Sequence, residues 1–122
     1  MPRFVVLEHD APRGVHWDFM LEIGPALATW ALDRAPNSAG PISATVLPDH
    51  RLAYLDYQGD ICGGRGTVAR WDRGSYTREK HGDAEWIVVV AGEKLKGRVV
   101  LRRSTTDRWE FSLWPDKPKD SC

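Results

Sequence analysis

From Val15 to Ile23 the chain alternates without a break. Val15, Trp17, Phe19, Leu21 and Ile23 fall on one side; His16, Asp18, Met20 and Glu22 fall on the other. A period of two marks a β-strand, because successive side chains point to opposite faces. Shorter runs rich in β-branched and aromatic residues predict strands at 4–7, 27–32, 42–47, 52–57, 67–71, 85–90, 97–102 and 109–113. No stretch keeps a helical period over three turns. Turn signals separate the runs. Gly24-Pro25 follows the second strand, 36–41 is a loop, and Pro48-Asp49 is a turn. Asp72-Arg73-Gly74 reads as a hairpin loop with glycine in the left-handed position, and Gly63-Gly64-Arg65-Gly66 as a flexible loop. Many short strands at regular spacing predict an all-β fold, either a closed antiparallel barrel or a sandwich.

The 122 residues suit one domain, 1–122, large enough to bury a core without disulfides or a structural metal. The last stretch, 115–122 (PDKPKDSC), is expected to fray. Six tryptophans are candidates for core or rim positions. Seventeen basic and seventeen acidic residues cancel. That balance argues against a protein that coats nucleic acid non-specifically, which needs a basic surface. It leaves room for a small pocket that grips one strand end. Two cysteines, Cys62 and Cys122, make no disulfide framework and suit a reducing compartment. The N-terminus lacks the apolar stretch of a signal peptide, and no run reaches the roughly 18 apolar residues of a membrane span. The expected location is the cytoplasm, with no membrane partner.

The candidate chemistry lies in Glu8-His9-Asp10-Ala11, a short Pro12-Arg13-Gly14 turn, and His16-Trp17-Asp18-Phe19. Residues i and i+2 of a strand share a face, so His16 and Asp18 stand side by side. The turn brings His9 back towards them. Two imidazoles and a carboxylate suit Mn²⁺, Zn²⁺ or Fe²⁺, and three protein ligands leave positions open for substrate or water. A polar strand face can also carry such residues without any ligand, and spacing alone leaves both readings open. His50 lies at a turn before Tyr54, His81 in a polar connection, and Glu93-Lys94-Leu95-Lys96 at a charged hairpin tip; each reads as solvated.

The ordered set EHDA, VHWDFMLE, LATWALDRAP, DH, GTVARWDRGSY and GEKLKGR resembles the signature of the 3′-phosphoesterase domain of bacterial DNA ligase D. That family reads EHxA, LHYDFRLE, LKSWAVPKGP, DHP, GTVxxWDxG and GEKLKGR in the same order. The likeness runs from about Phe4 to Trp114, and the chain is read as a stand-alone, divergent member. It implies a compact antiparallel β-barrel of about eight strands with little helix. It implies manganese-dependent trimming of DNA 3′ ends, removing a terminal ribonucleoside and then the 3′-phosphate. On this likeness His9, His16 and Asp18 are the metal ligands. His50 contacts the scissile phosphate, Tyr54 lies near the site, and Arg34 stands where the family has a lysine. A metal would polarise a phosphate oxygen or activate water. His50 and Arg34 would stabilise developing charge, or His50 would protonate the leaving oxygen. The implied partners are DNA 3′ ends, with or without a terminal ribonucleotide, and a separate DNA ligase. A closed barrel with zero net charge is read as a monomer.

The departures define an alternative. Met20 replaces an arginine of the family's DFRLE, a second family arginine falls on Ile42, and Leu7 stands where glutamine is frequent. Methionine donates no charge-assisted hydrogen bond. Losing two phosphate-binding arginines would cost several kcal/mol of transition-state stabilisation, on the order of deleting oxyanion donors. Arg13, Arg51 and Arg65 are the neighbouring arginines that could compensate. The alternative is a catalytically weakened homologue that binds metal or nucleic-acid ends as an accessory module. A third reading, the facial triad of iron oxygenases, fits poorly, because those enzymes place the second histidine far along the chain.

Overall fold

A computed structural model describes residues 1–115. Nine strands follow one another: β1 Arg3–Ala11, β2 Gly14–Ile23, β3 Ala26–Leu32, β4 Ile42–Arg51, β5 Gly59–Asp60, β6 Thr67–His81, β7 Glu85–Gly92, β8 Lys96–Arg103 and β9 Arg108–Pro115. The pairing order β1-β2-β3-β4-β9-β8-β7-β6-β5, with β1 also paired to β6, closes eight strands into an antiparallel ring. Closure pairs each of these eight strands with a neighbour on both sides over at least part of its length. The all-β, eight-strand ring expected from the motifs is the observed fold. No α-helix occurs among the described residues. Pro115 ends β9, and 116–122, the rest of the stretch expected to fray, lie outside the described residues.

The alternation of β2 divides two cores. Phe19 and Leu21 point into the ring, where Phe19 packs on Phe4, Trp30 and Phe111 at ring separations of 6.0, 6.5 and 5.2 Å. Trp30 meets Trp86 and Trp109 edge-on at 5.3 and 5.7 Å. Met20, on the opposite face, joins a smaller outer cluster with Val5, Leu7, Leu27, Leu55 and Val68. That face is not solvent-facing, because 52–66 folds across it.

Four local expectations are corrected. The strand expected at 52–57 is a 3₁₀ helix, Leu52–Leu55. Leu52 and Leu55 are three residues apart, and a 3₁₀ turn puts both on the outer cluster, where a strand would separate them. Pro48-Asp49 is no turn but part of β4. Leu27 pairs with His50 and Thr29 with Leu47, so two residues bulge opposite Ala28. The third correction concerns Asp72-Arg73-Gly74, which lies inside the 15-residue β6. Gly74 serves a close approach rather than a turn: a Cβ there would stand 2.1 Å from the Ala91 carbonyl oxygen. Asp72 is buried and accepts backbone N–H groups of Glu93, Lys94 and Leu95 at 2.8, 3.0 and 2.8 Å. The WDxG and GEKLKG segments are thus one structural unit. Leu95, expected at a solvated tip, is in the interior core.

Candidate metal centre

Strand register assembles the site. β1 runs on past the expected 4–7 to Ala11, so His9 lies on the strand and pairs directly with His16, while Leu7 pairs with Asp18. All three polar side chains share the outer face of the β1–β2 hairpin. His9 Nδ1 is 3.1 Å from His16 Nε2 and 3.5 Å from Asp18 Oδ2; His16 Nε2 is 3.0 Å from Asp18 Oδ1. All the donor atoms lie within 4.8 Å of one another. Donors of a single transition-metal ion, bonded at about 2.0–2.2 Å, stand about 3–3.5 Å apart. The triad therefore fits one divalent cation.

Two further observations support that fit. Asp18 is only 3% exposed, and its Oδ1 has no hydrogen-bond donor among the described residues apart from the nearby His16 ring. A buried carboxylate faced only by imidazole rings suits a cation. Second, His9 Nε2 lies 2.8 Å from the Arg65 carbonyl oxygen. A carbonyl only accepts, so Nε2 carries the proton and Nδ1 presents its lone pair to His16 and Asp18. Such an outer partner fixes the tautomer of a ligating histidine. His16 has its pKa raised from its ordinary 6.5, chiefly by its hydrogen bond to Asp18. Burial opposes the shift, and the charges of Asp18 and Asp33 add to it.

Beside the triad lies a cavity of about 80 Å³ lined by His9, Asp18, Met20, His50, Tyr54 and Arg65, with Leu7, Ile61 and Val68. His50 reaches it because of the β4 bulge. Its Nδ1 donates to the Pro48 carbonyl oxygen at 2.9 Å, and its Nε2 has no hydrogen-bond partner among the described residues. The Tyr54 ring packs edge-on against His50 at 5.7 Å. The structure thus gathers His9, His16, Asp18, His50 and Tyr54. Arg34 does not line this cavity. It is exposed on the β3–β4 connection, and its Nη groups donate to the Ala39 and Pro41 carbonyl oxygens at 3.3 and 2.6 Å.

The two departures separate. Met20 is at the cavity, on the site's face. Ile42 is 1% exposed inside the ring. Counting eight residues back from His50 should preserve the face, but the bulge at Pro48-Asp49 inverts the alternation. No side chain at position 42 faces the centre. Of Arg13, Arg51 and Arg65, the three arginines named from the sequence, Arg65 lines this cavity, and the Gly63-Gly64-Arg65-Gly66 loop holds it there. Gly66 has φ +98°, and a Cβ would stand 2.0 Å from the Asp10 carbonyl oxygen, so the loop presses directly on β1 beside His9.

A closed antiparallel ring carrying a two-histidine, one-carboxylate centre on its outer face, with a histidine, a tyrosine and an arginine beside it, defines a β-barrel protein with a candidate metal site. The chain belongs to the DNA Ligase D 3′-phosphoesterase domain family, whose model matches residues 7–103. It is 37% identical over 115 residues to the "Multifunctional non-homologous end joining DNA repair protein LigD" of Mycobacterium tuberculosis, covering 87% of this chain and 15% of that protein. It is 38% identical over 122 residues to the "Multifunctional non-homologous end joining protein LigD" of Pseudomonas aeruginosa, covering 92% of this chain and 14% of that protein. The Mycolicibacterium smegmatis protein of the same description is 33% identical over 125 residues, 88% of this chain and 16% of that protein. The chain thus spans about one-seventh of the length of these relatives. Among the described residues no helix is long and apolar enough to cross a membrane.

Proposed function

We propose that this protein hydrolyses phosphoester bonds at the 3′ ends of DNA during repair, in the cytoplasm, with a divalent cation held by His9, His16 and Asp18. The observation that carries this reading is the convergence of three lone-pair donors 3.0–3.5 Å apart at a pocket that also holds His50 and Tyr54. Family membership supports the reaction class, and the names of the relatives support the repair setting.

The donor set suits Mn²⁺, with Zn²⁺ as the next choice. When bound, such a cation supplies Lewis-acid polarisation of a phosphate oxygen and a more acidic water. The chain's own residues do the rest. His9 and His16 present fixed lone pairs, and Asp18 supplies negative charge. His50 lines the cavity, where its Nε2 would hydrogen-bond a phosphate oxygen or, when protonated, give its proton to the leaving oxygen. Tyr54 holds the His50 ring in place. Leu7, Met20 and Val68 form an apolar floor that strengthens every charge interaction above it. The partners on this reading are DNA 3′ ends, bare or ribonucleotide-terminated, and a DNA ligase acting on the product; the protein works as a monomer.

A second reading, an accessory module that binds metal or strand ends without turnover, is favoured by one observation: Met20 puts a thioether on the site's face. A DNA primer ending in one ribonucleotide, incubated with the protein and Mn²⁺, separates the two. Shortening that disappears in His9→Ala supports the enzyme. No shortening at high protein concentration, with Mn²⁺ binding intact, supports the module.

A further inference from the structure

We propose that Arg65 is the residue that grips the phosphate oxygens at this centre, an inference that rests on the phosphoesterase reading above. Among the described residues, Arg65 is the one lysine or arginine lining the cavity that contains His9, Asp18, His50 and Tyr54. It also lines a larger cavity of about 530 Å³ whose wall includes His9, His16, Pro12 and Val15, together with a second arginine, Arg13, which does not line the smaller cavity. Arg65 therefore stands where the two spaces meet at the metal ligands. A phosphate bound at the triad lies within its reach whichever cavity receives the nucleoside.

The side chain is held without being used up. Its Nε donates to the Cys62 carbonyl oxygen at 2.8 Å, and no other hydrogen bond of its guanidinium occurs among the described residues. Both Nη groups remain to form the paired, charge-assisted bonds for which guanidinium suits phosphate. Anchoring at Nε also lowers the rotamer entropy lost when an anion binds. The loop cannot drift, because Gly66 packs against Asp10 and the Arg65 carbonyl holds His9. One residue thus contributes twice. Its backbone orients a metal ligand, and its side chain supplies positive charge that no other lysine or arginine lining the small cavity provides.

The test uses the full chain with Arg65→Gln, which keeps an N–H donor but loses the charge, and Arg65→Lys, which keeps the charge. Mn²⁺ binding is read by electron paramagnetic resonance, binding of inorganic phosphate to the Mn²⁺-loaded protein by calorimetry, and cleavage on the ribonucleotide-ended primer. Arg65→Gln is expected to leave Mn²⁺ affinity within about threefold, because the carbonyl is unchanged, to weaken phosphate binding at least tenfold, and to lower kcat/KM about 100-fold, the scale of losing one oxyanion donor. Arg65→Lys is expected to recover at least tenfold of the lost kcat/KM. Unchanged phosphate affinity in Arg65→Gln overturns the inference, and so does a matching loss of Mn²⁺ affinity, which would make Arg65 a scaffold residue. A parent protein that binds Mn²⁺ and phosphate but cleaves nothing contradicts the phosphoesterase reading instead, and the phosphate measurement still decides on Arg65.

Discussion

The Arg65 carbonyl accepts a hydrogen bond from His9 Nε2 at 2.8 Å across 56 residues of sequence. This contact turns the His9 lone pair towards His16 and Asp18, and it depends on Gly66. Gly66→Ala is expected to push the loop off β1, since the new Cβ would stand 2.0 Å from the Asp10 carbonyl oxygen. Outer-partner losses of this kind typically cost 10–100-fold in metal affinity. Mn²⁺ titration should show a weakening of about that size, with the fold retained by circular dichroism. Unchanged affinity would mean that His9 needs no carbonyl to orient it.

The raised pKa of His16 gives two pH dependences of opposite sign. The folded, metal-free protein holds the His16 proton more tightly than the unfolded chain does, chiefly through its hydrogen bond to Asp18. The resulting stability is fully present below the unfolded value of 6.5 and is lost as pH rises through the higher folded value. A cation competes with that proton, so Mn²⁺ affinity and the stability it confers rise over the same window. Melting curves in EDTA and in Mn²⁺ should diverge as pH increases, and Asp18→Asn should abolish the divergence. Parallel curves would contradict a shared proton and metal site.

Asp72 carries a stability prediction independent of the centre. Its buried carboxyl receives three backbone N–H groups from the β7–β8 turn. Asp72→Ala leaves the buried Leu95 N–H and the part-buried Glu93 and Lys94 N–H groups without their acceptor, at a cost of about 1–3 kcal/mol. Urea unfolding should register that loss, while the folded fraction keeps its Mn²⁺ affinity. A loss below about 0.5 kcal/mol would show that water replaces the carboxyl.

Much of this molecule was legible in the sequence. The period of two in β2 placed His16, Asp18 and Met20 on one face, and the motif order identified the family. Glycine and proline were harder to read, because each has two physical uses. Gly74 and Gly66 serve close backbone approach, and Pro48 sits in a bulge, where the sequence pattern suggested turns or flexible loops. That single bulge inverts the facing of β4. It brings His50 to the site and sends Ile42 into the core, and simple counting along the strand cannot show this. The contact between Arg65 and His9 belongs to tertiary folding, and nothing local announces it.

The central claim is that His9, His16 and Asp18 share one divalent cation. Anomalous diffraction from a crystal soaked in Mn²⁺ tests it directly. The account predicts one peak about 2.0–2.2 Å from His9 Nδ1, His16 Nε2 and a carboxyl oxygen of Asp18. Soaked crystals with no peak between these side chains, or with the manganese held by other residues, would contradict it.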